Sequence, residues 1–268
     1  MKNLIRTIFH LAGLEVRLKS RLQEIRAEEK RLRQVLPWKQ LLQYAPGTIL
    51  DIGANDGYSA RLFRELMPDV TIYSFEPLAD CFLQVDETLA AQPPGRAFHM
   101  ALGDTDETTV IHRSRSTPSS SLLPMDPLHQ HEFPHTADGT KETIQVRRLD
   151  DVAAELDIVQ PLIAKIDVQG FEDRVIRGGE KTLSEAAAIV VELSSYELYA
   201  GQPSFSDVHH QLEQLGFVFR GTIDQMLSPK DGRILQFDGL FEHRSFRAQQ
   251  AGSDAADRDL SRSKGAHV

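Results

Sequence analysis

The residues able to do chemistry fall into two groups. The first is Asp51-Ile52-Gly53-Ala54-Asn55-Asp56-Gly57, followed nineteen residues after Gly57 by Glu76. Gly53 and Gly57 bracket a turn where no side chain intrudes, so backbone can approach a ligand closely. A helix opening at Tyr58 points its free N–H groups at that ligand. Glu76, at the tip of the next strand and followed by Pro77, stands where a ribose is held, because one carboxylate accepts hydrogen bonds from both hydroxyls. Alone, these pieces read as a tight turn and a capping acid. In this order and spacing they favour an adenosine-type ligand. Asn55 and Tyr58 stand where the dinucleotide fingerprint needs glycines, which counts against a nucleotide-dependent oxidoreductase.

The second group is Lys165, Asp167 and Glu192. A lysine inside a buried strand needs a partner. Asp167, two residues on, points to the same face. Asp167 and Glu192 both fall near the carboxyl ends of strands, where open α/β sheets bind ligands. The plainer reading, equally open, is that they neutralise Lys165 and cap helices. Glu172 reads as a helix N-terminal acid favoured by the dipole. His129, His131 and His135 crowd seven residues, but in a run without a cysteine or helical periodicity they read as loop histidines, or as one histidine facing substrate, and no metal site is expected.

The elements that must position these groups alternate between strand and helix. Thr48–Ile52 reads as a buried strand, 58–67 as a helix, and 70–75 as a second strand. Residues 78–91 form a helix broken by Pro93-Pro94-Gly95. A third strand, 97–100, runs into Ala101-Leu102-Gly103-Asp104, with Asp104 an ordinary turn residue. Residues 105–143 are an insertion that folds over the site as a lid, with 108–112 paired to 143–147. Asp150 is a candidate N-cap. Strands follow at 162–168 and 187–193, a helix at 207–215, and a final antiparallel pair from 217–219 and 234–241.

D-I-G-A-N-x-G at 51–57, F-E-P at 75–77, K-I-D-V-Q-G-F-E at 165–172 and V-E-L at 191–193 resemble the FkbM-type S-adenosylmethionine-dependent methyltransferases, over residues 47 to 243. The resemblance implies a Rossmann-like class I methyltransferase: an α/β fold with a mostly parallel sheet and a C-terminal antiparallel hairpin. It implies S-adenosyl-L-methionine as cofactor, contacted by Asp51, Gly53, Asn55, Gly57 and Glu76, with Ala101 and Leu102 flanking the adenine. The implied reaction is O-methylation of a hydroxyl on a sugar or glycoconjugate, with Asp167 first and Glu192 second as the base. The commoner family pattern has Glu where this chain has Gln169, which cannot act as a base but still hydrogen-bonds. A non-catalytic cofactor-binding partner, docked through its N-terminal helix, is the alternative.

Net charge is −9, which disfavours a general nucleic-acid binder. One cysteine, Cys81, excludes an intramolecular disulfide and fits a reducing cytoplasm. No stretch is long and apolar enough to span a bilayer, and Arg6 and His10 spoil a signal-peptide reading. Residues 1–36 form a separate helix. Leu4, Leu11, Leu18, Ile25 and Leu32 fall at seven-residue spacing, with Ile8, Leu22 and Leu36 as companions and Glu15 and Glu29 as interruptions. This seam suits a homodimer or partner helix, ahead of packing on its own domain, with a membrane surface third. The expected organisation is helix 1–36, methyltransferase domain 37–245, and a polar disordered tail 246–268.

Overall fold

The computed structural model describes residues 21–137 and 139–247. The chain divides into two compact units, Met1–Leu41 and Leu42–Val268, a boundary later than the expected break after residue 36. In the first unit, residues 21–35 are helical (α1). Leu22, Ile25 and Leu32 stay 46–48% exposed, so the described part of the seam shows an open apolar stripe. The rest of the heptad row, from Leu4 to Leu18, lies outside the described residues, as does the tail from 248 onward. Residues 246 and 247, expected in that tail, belong to a helical turn, and the Phe246 ring lies 5.2 Å from that of Tyr44. A 3-10 helix, Leu36–Tyr44, leads into the first strand.

Ten strands are found among the described residues: β1 Thr48–Ile52, β2 Thr71–Phe75, β3 Gly95–Phe98, β4 Ala101–Gly103, β5 Glu107–Ser114, β6 Gly139–Arg148, β7 Leu162–Ile166, β8 Ala188–Ser194, β9 Phe217–Leu227 and β10 Ile234–His243. A seven-stranded sheet runs β3-β2-β1-β7-β8-β10-β9, and a three-stranded sheet runs β4-β6-β5. In the large sheet β3, β2, β1, β7 and β8 are parallel, and β10 pairs antiparallel with both β8 and β9. This is the expected α/β architecture with a C-terminal hairpin. β1 and β7 are buried along their whole length, which is why they read as continuous apolar runs. Each fully buried aliphatic side chain of that core, such as Leu50, Ile166 or Val191, contributes about 1.5–3 kcal/mol.

The helices are α2 Tyr58–Leu66, α3 Ala79–Ala91, α4 Pro127–Glu132, α5 Leu149–Ala153, α6 Glu172–Gly178, α7 Glu180–Ser184 and α8 Phe205–Gln214. Among the described residues no helix is long and apolar enough to cross a membrane.

Two expectations need correction. The third strand leaves the large sheet at Phe98, and Ala101–Gly103 pairs with Val146–Arg148 of the small one. Asp150 does not cap its own helix. Its carboxylate accepts from the Thr182 and Lys181 amides at 2.8 and 3.2 Å, closing the N-terminus of α7 instead. The expected pairing of 108–112 with 143–147 is present in the longer β5–β6 ladder, where Thr109 faces Ile144.

Candidate active site

β1 sits at the point where the strand order reverses, with β2 and β3 on one side and β7 on the other. A cavity of about 680 Å³ opens at the carboxyl ends of these strands. One part of its wall is the turn after β1. Gly53 has φ 83°, and a Cβ there would run into the Asp167 carbonyl, so only glycine fits. The Gly53 and Ala54 amides donate to Phe75 O at 3.0 and 3.1 Å, tying the turn to the end of β2. The next residue after Phe75 is Glu76. Its two oxygens accept from Asn55 N and Leu78 N, both at 2.8 Å. Each oxygen keeps a second lone pair. Burial pushes this carboxyl up to about 7, against the pull of the two amides. Gly53, Asn55, Glu76, Ala101 and Leu102 all line the cavity.

Asp51 and Gly57 do not. Asp51 lies within β1, in register with Ser74 of β2 and Lys165 of β7. It is wholly buried, accepts from Ser74 Oγ at 3.2 Å, and is raised to about 6 by burial against the attraction of Lys165. Gly57, with φ 81°, is the N-cap of α2, and a Cβ there would meet Val85 and Thr88 of α3. Its part is to turn the chain and let the two helices approach.

The other part of the wall is a cluster of polar side chains. Lys165 Nζ lies 3.0 Å from Asp167 Oδ2, and the lysine side chain is 5% exposed. Burial alone would lower that ammonium, but Asp167, Asp51 and Asp238 hold it above the usual lysine range. Gln169 Nε2 donates to Asp167 Oδ1 at 2.8 Å and to Glu192 Oε2 at 2.6 Å. Gln236 Nε2 donates to the same Glu192 oxygen at 2.8 Å. Among the described residues Glu192 Oε1 has no hydrogen-bond partner, and it is not sealed from the cavity that Glu192 lines. Burial, then the charges of Asp167, Asp238 and Glu172, raise Glu192 well above the ordinary carboxylate range. The structure thus brings Asp167 and Glu192 together, as their positions at strand tips suggested.

Glu172 is more than a dipole acid. It is buried, and its carboxylate accepts from the Val168 and Gly170 amides at 3.2 and 3.0 Å, folding the turn that presents Asp167 and Gln169. His129 departs from the solvated-loop reading. Asp126 caps α4 by accepting from Leu128 N at 2.8 Å, which sets His129 inward against Tyr199 and Phe133, with ring centroids 5.2 and 5.5 Å away. Burial, then His135, lowers its imidazole to about 4. Among the described residues no three His, Cys, Asp or Glu side chains gather to hold a metal ion.

Three contributors carry no signal in the sequence. Gln236 comes from β10, and Asp238 follows it in register with Glu192. Burial pushes the Asp238 carboxyl up to about 7. Tyr199 comes from the loop after β8 and donates to Gln169 Oε1 at 2.7 Å. Only pairing across strands far apart in the chain reveals them.

The methyltransferase FkbM domain matches residues 51–219. The chain is 31% identical over 200 residues to the 2-O-methyltransferase NoeI of Sinorhizobium fredii (strain NBRC 101917 / NGR234), covering 71% of this chain and 82% of that protein. Among solved structures it is similar to magnesium protoporphyrin IX methyltransferase (ChlM) of Synechocystis PCC 6803 with bound SAM, with a TM-score of 0.41, 12% identity, and 82% of each chain covered. It is also similar to the precorrin-6y C5,15-methyltransferase of Geobacter metallireducens GS-15, with a TM-score of 0.43, 8% identity, and 78% of this chain and 86% of that one covered. Likeness at that level speaks of neither substrate nor mechanism. On the domain match and the NoeI relationship together, the chain belongs to the FkbM methyltransferase family and is an S-adenosylmethionine-dependent methyltransferase.

Proposed function

We propose that the protein methylates a hydroxyl of a sugar or glycoconjugate, with Glu192 as the proton acceptor. The observation that carries this is the asymmetry of the Glu192 carboxyl: among the described residues Oε2 is held by two amide donors, while Oε1 has none. Asp167, the first choice from the sequence, has one oxygen on Lys165 and the other on Gln169. It fits the part of a fixed anion better than that of a base.

The residues present fit the cofactor. Asp56, Glu76, Asp167 and Glu192 line the cavity against a single, already paired ammonium, a lining suited to a cation. Glu76 has lone pairs left for two ribose hydroxyls. Gly53 and Asn55 would hold the cofactor with their carbonyls, since their amides are spent on Phe75 O and Glu76, and Ala101 and Leu102 would flank its base. When bound, the cofactor supplies a methyl group already activated by a positive sulfur. The protein's remaining work is to align the acceptor oxygen and take its proton. Oε1 would take the proton of the acceptor hydroxyl, and the carboxylate charge of Glu192 would be cancelled as it did so. Ser116, Thr117, Ser119 and Ser120 offer hydroxyls to a polyhydroxyl acceptor, and Phe133 and Met226 offer apolar surface to its C–H faces. The NoeI relationship, at 31% identity, supports an oxygen acceptor.

The test is transfer of labelled methyl from S-adenosylmethionine to a glycoconjugate extract, with the methylated atom located by mass spectrometry. Glu192→Gln should lower transfer by about a hundredfold or more while still binding cofactor. Methyl found on nitrogen or carbon, or an unimpaired variant, would reject the reading.

An N-terminal helix ahead of a methyltransferase domain that runs through residue 247, and a cytoplasmic location supported by the single cysteine, remain part of the proposal. So does a homodimer through residues 1–36, supported by the exposed stripe of Leu22, Ile25 and Leu32. Light scattering should give a doubled mass for the full chain and a monomer for a form starting at Pro37. Equal monomeric masses would remove the dimer.

A further inference from the structure

Among the described residues, Gln169 is the one whose side chain hydrogen-bonds to both Asp167 and Glu192. Its backbone has φ 55°, in the left-handed region that non-glycine residues rarely adopt. Such strain at a cavity wall points to a constraint set by function. The main chain there is pinned from outside, since Ser121 Oγ donates to Gln169 O at 2.6 Å. Three of the side chain's four hydrogen-bonding places are taken. Both Nε2 protons are given, one to Asp167 and one to Glu192, and Oε1 accepts from the Tyr199 hydroxyl. The carboxylates can only accept while ionised, which fixes the amide orientation.

We propose that Gln169 is a positioning residue that holds Asp167 and Glu192 as two separate anions, and thereby sets the pH at which Glu192 becomes charged. This rests on the reading of Glu192 as the base. Glu192 is faced by groups from every side: Lys165 and Asp167 at the end of β7, Glu172 at the start of α6, Asp238 and Gln236 on β10, and Tyr199 from the loop after β8. All the charged ones except Lys165 are acids, so a carboxylate here ionises only with donors supplied. Gln169 supplies one donor to each of the two nearest anions without bringing a charge. An acid in its place would set a third carboxyl about 2.6 Å from Glu192 and 2.8 Å from Asp167. Acids that close share a proton and release it only at higher pH.

The experiment uses the full chain and needs no acceptor. Affinities for S-adenosylmethionine and S-adenosylhomocysteine are measured by calorimetry from about pH 5.5 to about pH 8.5. Their ratio senses the methyl and the sulfonium charge, because hydrogen bonds common to both ligands, including those of Glu76, cancel, and Glu192→Gln separates the part due to Glu192 from that of the other acids. In the wild type the ratio rises with pH as Glu192 ionises. Glu192→Gln should flatten that rise. Gln169→Glu should move its midpoint up by about one pH unit or more. Gln169→Leu, which removes the donors without adding an acid, should move it in the same direction. S-adenosylhomocysteine binding shows in each case that the variant is folded. If Glu192→Gln is flat and both Gln169 variants keep the wild-type midpoint, the role of Gln169 is overturned while the base reading stands. If the wild-type ratio is flat, or Glu192→Gln keeps the wild-type rise, the base reading falls and this inference with it.

Discussion

The two ends of the cavity are built differently. The end formed by the turn after β1 is made of backbone. Its amides satisfy Phe75 O and Glu76, and its shape depends on Gly53 fitting against the Asp167 carbonyl. The carboxylate end is made of side chains drawn from positions 165, 167, 169, 192, 199 and 236. A backbone site is specified by residues close together in the chain and tolerates change in everything but its glycine and its acid. A side-chain site depends on a sheet pairing correctly over long distances, and each member is held by another. The second kind should therefore fail more sharply when one member is removed.

Lys165 gives the largest contrast. Replacing it by Met should destabilise the protein by about 3–5 kcal/mol, the usual cost of stripping one partner from a buried ion pair. Asp167, Asp51 and Asp238 would then face one another without their cation. Asp51 and Asp238 are already raised, to about 6 and about 7, by burial. Their native state binds protons more tightly than the unfolded state, so they oppose folding progressively as pH rises from near 4 through those values. Without Lys165 their midpoints climb further. The loss in Lys165→Met should therefore be greater at pH 8 than at pH 5, by urea unfolding. A loss that is equal at both would mean that the lysine packs through its stem and not through its charge.

The same contrast decides what could be read from the sequence. The β1 turn, Glu76 and the Lys165–Asp167 pair were legible because each is a short-range pattern: a spacing of glycines, an acid before proline, and two residues on one strand face. The hairpin was legible from Ser228, Pro229, Asp231 and Gly232, the turn residues between its strands. Gln236 and Tyr199 were not, since nothing near them in the chain signals that they reach Glu192 and Gln169. Asp51 and Gly57 were misplaced for a related reason. Spacing marks a loop as special, but only the register with Ser74 and Lys165 shows that Asp51 lies inside the sheet, with those two residues as its cross-strand neighbours. The run from Ala97 to Leu102 hid a change of sheet, because a strand's apolar pattern is the same whichever partner it joins. His129 is buried on α4, whose start is fixed by Asp126 accepting from Leu128 N, a local signal whose consequence is tertiary.

A smaller effect is expected at the backbone-built end. Glu76→Ala should weaken binding of S-adenosylmethionine and of S-adenosylhomocysteine alike by about 1.5–3 kcal/mol, the scale of hydrogen bonds to a charged group. Equal losses follow because the ribose is common to both. A loss confined to S-adenosylmethionine would place Glu76 near the sulfur, and unchanged affinities would remove it from the site.

The smallest effect sharpens where the cofactor end stops. Asp104 follows Ala101 and Leu102 closely, yet it is not part of the cavity wall. Its carboxylate lies 3.0 Å from Arg177 Nε, and the same guanidinium lies 2.7 Å from Asp173 on α6. Asp104 and Arg177 side chains are 28% and 39% exposed, so water screens the pair and its net contribution is small. Arg177 keeps Asp173 when Asp104 is neutralised. Asp104→Asn should cost no more than about 1 kcal/mol of stability and leave cofactor affinity within about 0.5 kcal/mol of the wild type. Calorimetry and urea unfolding on the one variant measure both. A tenfold loss of affinity with unchanged stability would show that the acid reaches the bound ligand, and that the backbone-built end extends one strand further than the turn and Glu76.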